Sequence, residues 1–199
     1  TGFNPNGQGF DVNSFKALIV ATADQCVEVR VQALLSLIRF GTPGNPRDFE
    51  TLKGVLSRCT REREPKRVQI WAHVGLLRIQ PQGAVNKQAQ KVTDKEVAKE
   101  VAGIAKFLKD RDFDTKVNAA RALAAIGPLG KSAVPDLIEK LEDSDAEMLM
   151  WTCLAVSVME DAAAPAFSAL KRLENHPDPA VKEAARTALG KIGNKAPVR

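Results

Sequence analysis

The sequence predicts an all-α fold, an α-solenoid of about five helical pairs. A thirteen-residue pattern occurs five times, and its offsets zero, four, seven, eight and eleven carry small or apolar residues that fall on one stripe of an α-helix. Strand signals are few, because the chain has no tyrosine and no long alternation of apolar and polar residues. Repetition at such intervals is typical of stacked helical units. The pattern starts at Val29, Val68, Thr115, Met148 and Val181.

Each recurring segment is predicted to be the second helix of a pair. Small residues at offsets four and seven allow helices to approach closely, and the aliphatic residues beside them fill the space between units. Offset eleven carries a larger apolar residue in each copy: Phe40, Ile79, Ile126, Met159 and Ile192. The first helices of the pairs are predicted in the gaps, near residues 13–23, 47–59, 94–108, 134–141 and 165–173. Ten helices result, and neither member of a pair can bury its stripe alone.

Start and stop signals agree with these segments. An aspartate stands three residues before three of the starts, where its carboxylate can accept the free amides of the first turn. These residues are Asp112, Asp145 and Asp178. Glycine ends three of the predicted helices, since it adopts the left-handed conformation at little cost. These residues are Gly41, Gly127 and Gly193.

Two segments lack the periodicity. Residues 1–12 are predicted to be a flexible N-terminal segment, and residues 13–199 a single solenoid domain. Residues 80–93 account for the longest interval between repeat starts and are rich in Gly, Asn, Gln and Lys, which predicts an exposed loop. Such an insertion either belongs to a binding surface or is merely tolerated.

The sequence of the best copies resembles HEAT repeats, especially the short bacterial type found in bilin-lyase-type HEAT proteins. The clearest copies are residues 181–193 and 115–127, which read VKEAARTALGKIG and TKVNAARALAAIG. The resemblance implies a right-handed superhelix and a non-catalytic scaffold that binds another protein. A scaffold fold of this kind serves many purposes, so the resemblance alone does not name the partner.

The face opposite the repeat stripe is apolar in several units, which is unusual for an exposed helix. One interpretation is that these inner helices are surrounded by neighbours and are simply core. The other is that part of the set lines a concave surface, edged by basic residues, that accepts an apolar segment of a partner protein. The candidate residues are Val31, Leu35, Arg39, Ile70, Trp71, Val74, Arg78, Arg121, Met150, Trp151 and Leu154.

The formal net charge is +5, and residues 1–100 hold the whole excess of basic residues. The densest group is Arg58, Arg61, Arg63, Lys66 and Arg67. This basic cluster is either a solvated turn between helices or a phosphate-binding surface, and the second interpretation makes nucleic-acid binding the alternative function.

No motif for catalysis, a cofactor or a metal ion is present, so the sequence predicts a protein that is not an enzyme and has no cofactor. The three cysteines, Cys26, Cys59 and Cys153, are predicted to be buried free thiols, which favours the cytoplasm over export after signal-peptide removal. No apolar run is long enough to span a membrane, which predicts a soluble chain.

Overall fold

Ten α-helices make up the part of the chain that the structure describes. The computed structural model describes residues 11–79 and 94–193, and no strand forms within them. The helices are α1 (Val12–Ala21), α2 (Val27–Phe40), α3 (Pro46–Cys59), α4 (Lys66–Arg78), α5 (Asp94–Ala105), α6 (Phe113–Ile126), α7 (Val134–Lys140), α8 (Ala146–Ser157), α9 (Phe167–Leu173) and α10 (Pro179–Gly193). Short 3₁₀ helices occupy Lys106–Lys109, Gly127–Ala133 and Glu160–Ala166.

The predicted all-α solenoid fold is confirmed, and the helices alternate as the repeat requires. The even-numbered helices α2, α4, α6, α8 and α10 contain the five repeat starts, and the odd-numbered helices are their predicted partners. Predicted and observed bounds differ where a 3₁₀ turn takes over the end of a predicted α-helix. Leu108 and Pro165 lie in such turns. The handedness of the superhelix stays a prediction.

The chain divides into two compact units, residues 1–103 and residues 104–199, and the boundary falls within α5. Each unit is described by itself. The prediction of one domain over residues 13–199 stays a prediction. The predicted flexible segment overlaps the described residues only at Asp11 and Val12, where α1 begins. Its other residues, and the predicted loop at 80–93, lie outside the described ranges.

In the first unit, α2 packs against α1 and α4, and α3 packs against α4. Gly75 allows the last of these contacts, because a Cβ atom there would lie 2.7 Å from Leu56 Cδ2. The unit departs from the repeat at its start. Val29 is 41% exposed, whereas the residues at the same offset in the other four repeats are buried.

Two ion pairs tie α2 to the start of α4. Arg30 pairs with Glu64, and both side chains are 15% exposed. Arg67 pairs with Glu28 through both guanidinium nitrogens, with 3.1 Å between Nη2 and Oε2. The Arg30 Nε atom also donates to the carbonyl oxygen of Thr22 at 3.1 Å. We call these two pairs the crossed ion pairs, because α2 contributes an acid to one pair and an arginine to the other. Glu64 lies two residues before the start of α4.

In the second unit, α8 packs against both α6 and α10, and α7 and α9 cover the other side of α8 and α10. The small residues of the repeat lie at these helix contacts, and Ala119, Thr152 and Ala185 are fully buried. Thr152 satisfies its hydroxyl within its own helix by donating to the Met148 carbonyl oxygen at 2.7 Å. The offsets that define the repeat therefore form the core of this unit.

The predicted aspartate caps are confirmed. Asp112 Oδ2 accepts the Thr115 amide at 2.8 Å, Asp145 Oδ1 accepts the Glu147 amide at 2.9 Å, and Asp178 Oδ1 accepts the Ala180 amide at 2.8 Å. Two of the predicted glycine stops adopt positive φ angles, +82° at Gly41 and +61° at Gly127. These signals set the phase in which each inner helix presents its side chains.

Candidate functional site

The candidate residues of the first unit lie mainly in its core. Val31, Ile70, Trp71 and Val74 are all buried, and Trp71 retains 8% exposure. The other three candidates of this unit are more exposed to solvent: Leu35 is half-buried, and Arg39 and Arg78 are exposed. On α4 the side chains at the phase opposite the repeat stripe are therefore covered, and they offer little open apolar surface.

A polar contact helps to explain why α4 is covered. His73, in the middle of α4, is buried, and its Nδ1 atom lies 2.6 Å from Glu100 Oε2 on α5. Gly103 also meets this ring, because a Cβ atom there would stand 2.4 Å from His73 Cε1. Sequence reasoning did not identify this contact. No spacing signal could identify Glu100, since a long insertion separates the two.

The second unit brings several partly exposed candidates together. Met150, Trp151 and Leu154 of α8 are half-buried, and Arg121 of α6 is exposed. The Arg121 guanidinium lies over the Trp151 ring, with 5.0 Å between Cζ and the ring centroid. We call the surface made by these four residues the α6–α8 face.

The composition of α8 explains why this face is apolar. Its repeat stripe is buried against neighbouring helices, and Met148, Cys153 and Val156 are fully buried. The Asp145 cap fixes where the helix begins, so Met150, Trp151 and Leu154 project to the side that is not fully covered. A helix that is apolar on all sides is normally buried on all sides.

Charged residues surround the α6–α8 face. Asp114 and Glu147, near the starts of α6 and α8, are exposed, and so is Glu183 near the start of α10. Thr187 of α10 is exposed at the offset that Arg121 and Leu154 occupy in their own helices. The apolar residues are therefore concentrated on α8, with acidic residues toward the helix starts and Arg121 beside Trp151.

The basic cluster of the first unit is partly neutralised. Arg67 is ion-paired with Glu28, and Arg63 Nε lies 3.9 Å from Glu64 Oε1. Arg58 and Arg61 are exposed around the turn that follows α3. Acidic residues are thus interleaved with the cations, and nucleic-acid binding by this cluster stays a prediction.

The cysteines are free thiols, as predicted, but the prediction that all three are buried is wrong. Cys26 is exposed, because it stands at the N-cap of α2 ahead of the packed turns. Burial raises the pKa of the Cys59 thiol, and it raises the pKa of Cys153 to about 12. A buried thiol resists ionisation because the thiolate would lose its hydration.

Within residues 11–79 and 94–193, no group of three or more His, Cys, Asp or Glu side chains is placed to hold a metal ion. No helix in the same ranges has the length and apolar character needed to cross a membrane.

The second unit matches a known repeat family. Residues 115–143, which begin at a repeat start and run through α6 and α7, match the family model described as PBS lyase HEAT-like repeat. The predicted resemblance to HEAT repeats is thereby confirmed over these residues. No curated protein matches the sequence significantly.

Solved structures of designed repeat proteins share the fold. An engineered protein is 19% identical with a TM-score of 0.57, and the match covers 90% of this chain and 79% of that one. A designed armadillo repeat protein in complex with the peptide (KR)4 is 16% identical with a TM-score of 0.58, covering 90% and 82%. A second designed armadillo repeat protein is 16% identical with a TM-score of 0.57, also covering 90% and 82%. At these identities the similarity concerns the fold alone.

Proposed function

We propose that this HEAT-like repeat protein is a non-catalytic scaffold that binds another protein through the α6–α8 face. The observation that carries the proposal is the contrast between two inner helices. The side chains at the phase of Trp71 are buried on α4, whereas Met150, Trp151 and Leu154 on α8 are only half-buried. A partner that covers apolar surface of this kind removes it from water, and this stabilises the complex.

The residue types on the face support this role. Trp, Met and Arg are enriched in the buried centres of protein interfaces, and Trp and Arg dominate the residues whose truncation costs most binding energy. The α6–α8 face brings all three types together within one unit. Its three apolar anchors project from α8, which packs against both α6 and α10, so a partner would meet a surface that is already ordered.

The fold gives independent support. Helical-repeat proteins use stacked inner helices as extended binding surfaces. One designed armadillo repeat protein of similar fold was solved in complex with a peptide. We infer the same general mode of recognition for this chain, in which a segment of the partner lies across the inner helices.

The proposal can be tested with a phage-displayed library of random peptides selected on the full chain. We expect reproducible enrichment on the wild-type protein and its loss on Leu154→Asp, because a carboxylate in the middle of the face would oppose burial of an apolar partner. The matched control is Leu129→Asp, which makes the same substitution outside the face. Leu129 lies in the 3₁₀ segment Gly127–Ala133 and is 37% exposed.

Thermal melting of both variants separates loss of the face from loss of the fold. If the library enriches equally on the wild type and on a folded Leu154→Asp variant, the α6–α8 face is not the binding surface. If no peptide enriches on the wild type at all, the proposed role in binding protein segments fails.

A further inference from the structure

We propose that the α6–α8 face recognises a segment in which an Asp or Glu side chain lies beside an apolar residue. Arg121 would hold the carboxylate, and Met150 and Leu154 would receive the apolar side chain. This inference rests on the proposed function, since it names the chemistry of the partner that the same face binds.

In the described part of the chain, Arg121 is not paired with an acid, unlike Arg30, Arg67 and Arg172, each of which pairs with a glutamate. Among residues 11–79 and 94–193, the exposed Arg121 guanidinium lies over the Trp151 ring and meets no carboxylate. Its guanidinium therefore retains its charge and its N–H donors for a ligand.

The contact with Trp151 orders the Arg121 side chain before a carboxylate binds. A cation over an aromatic face is attracted by the ring quadrupole, which restricts the motion of an otherwise flexible side chain. A guanidinium presents five donors in a planar fork that matches the two oxygens of a carboxylate. Ordering the fork before binding lowers the entropy lost when the ion pair forms.

The apolar part of the face lies next to the same ring. Met150 and Leu154 are four residues apart on α8, so they lie one above the other on one side of the helix, with Trp151 between them in sequence. Both are half-buried. A carboxylate held by Arg121 would therefore bring the neighbouring residue of the partner onto an apolar surface.

The charged residues around the face favour one orientation of the bound segment. Asp114 precedes Arg121 by seven residues, about 10 Å along α6 at 1.5 Å per residue. Glu147 is likewise near the start of α8, and Glu183 is near the start of α10. An acidic side chain is therefore favoured at Arg121 and disfavoured toward the helix starts. A wholly basic segment, such as the peptide in the designed armadillo complex, would meet Arg121 unfavourably.

The test selects the random peptide library on four forms of the full chain. The forms are the wild type, Arg121→Gln, Arg121→Glu and the matched control Arg186→Gln. Arg186 is an exposed arginine of α10 in the same unit but outside the face. We expect Asp and Glu to be enriched on the wild type and on the control, to lose their enrichment on Arg121→Gln, and to give way to Lys and Arg on Arg121→Glu.

A second measurement fixes the size of the effect. One selected acidic peptide and its twin with Gln in place of the acid are compared by titration against the wild type. We expect the twin to bind about tenfold more weakly, the effect of losing a charge-assisted hydrogen bond. Against Arg121→Gln the two peptides should bind alike.

The outcomes separate this inference from the proposed function. Enrichment that shows no acidic preference, or a preference for Lys and Arg on the wild type, overturns the inference and leaves the scaffold role intact. Absence of any enrichment on the folded wild type overturns both.

Discussion

The imidazole of His73 lies so close to Gly103 that a Cβ atom on the glycine would stand 2.4 Å from ring atoms Cε1 and Nε2. On the same helix, Glu100 contacts the same ring, with 2.6 Å between Oε2 and Nδ1. Real Cβ atoms do not come this near to a ring atom. The contact between α4 and α5 at this point therefore requires glycine.

We expect Gly103→Ala to lower the free energy of unfolding by about 1–3 kcal/mol, the usual cost of overpacking, because a buried ring has little room to move. Chemical denaturation followed by circular dichroism measures it. The control is Gly54→Ala in α3, where nothing lies within 4 Å of the new Cβ atom. That change should raise stability by about 0.5–1 kcal/mol, since alanine is the better helix former. Equal effects at the two sites would contradict the close approach.

Trp71 and Trp151 should respond differently to truncation. Trp71 is buried, so Trp71→Ala should cost about 3–5 kcal/mol of unfolding free energy. Trp151 is only half-buried, and Trp151→Ala should cost less while removing peptide binding. Denaturant titration of each variant gives the stabilities. A Trp151 variant that melts as early as the Trp71 variant and still binds peptide when folded would place Trp151 in the core.

The cysteines should divide into one fast and two slow thiols. A raised pKa means that less thiolate is present at a given pH, and burial raises the pKa of both Cys59 and Cys153. At about pH 8 we expect Ellman's reagent to modify Cys26 quickly, and the two buried thiols only as the protein opens. The fast phase should vanish in Cys26→Ser. A fast phase that persists in this variant would contradict the burial of the other two.

Salt should distinguish the proposed protein partner from nucleic acid. Binding of a labelled oligonucleotide to the basic cluster should fall with salt along a logarithmic slope of at most about −4.5, from five cations at about 0.9 each. We expect that binding to be lost near physiological salt, whereas binding of a selected peptide should change only a few-fold. Oligonucleotide binding that survives there, and disappears when Arg58 and Arg61 are replaced by Gln, would favour the nucleic-acid function instead.

The repeat pattern was sufficient to predict the helices because its offsets report directly on helical phase. It could not predict which apolar residues stay open. Trp71 and Trp151 occupy the same offset in their repeats, yet only Trp71 is buried, since exposure depends on what covers each helix rather than on phase. The contact between Arg121 and Trp151 joins two successive inner helices, so it depends on how neighbouring repeats are placed. One copy of the pattern contains no information on that placement.

The crossed ion pairs have a consequence for how the repeats recognise one another. Inner helices with similar apolar stripes can slide by one turn and still bury apolar area, so hydrophobic packing alone specifies their register weakly. A slide of α4 along α2 would separate Arg30 from Glu64 and Arg67 from Glu28 together. Arg30 and Glu64 are largely withdrawn from water, and a charge left there without its partner is strongly unfavourable. The two pairs therefore favour one register of α4 on α2 over other registers that would bury a similar apolar area.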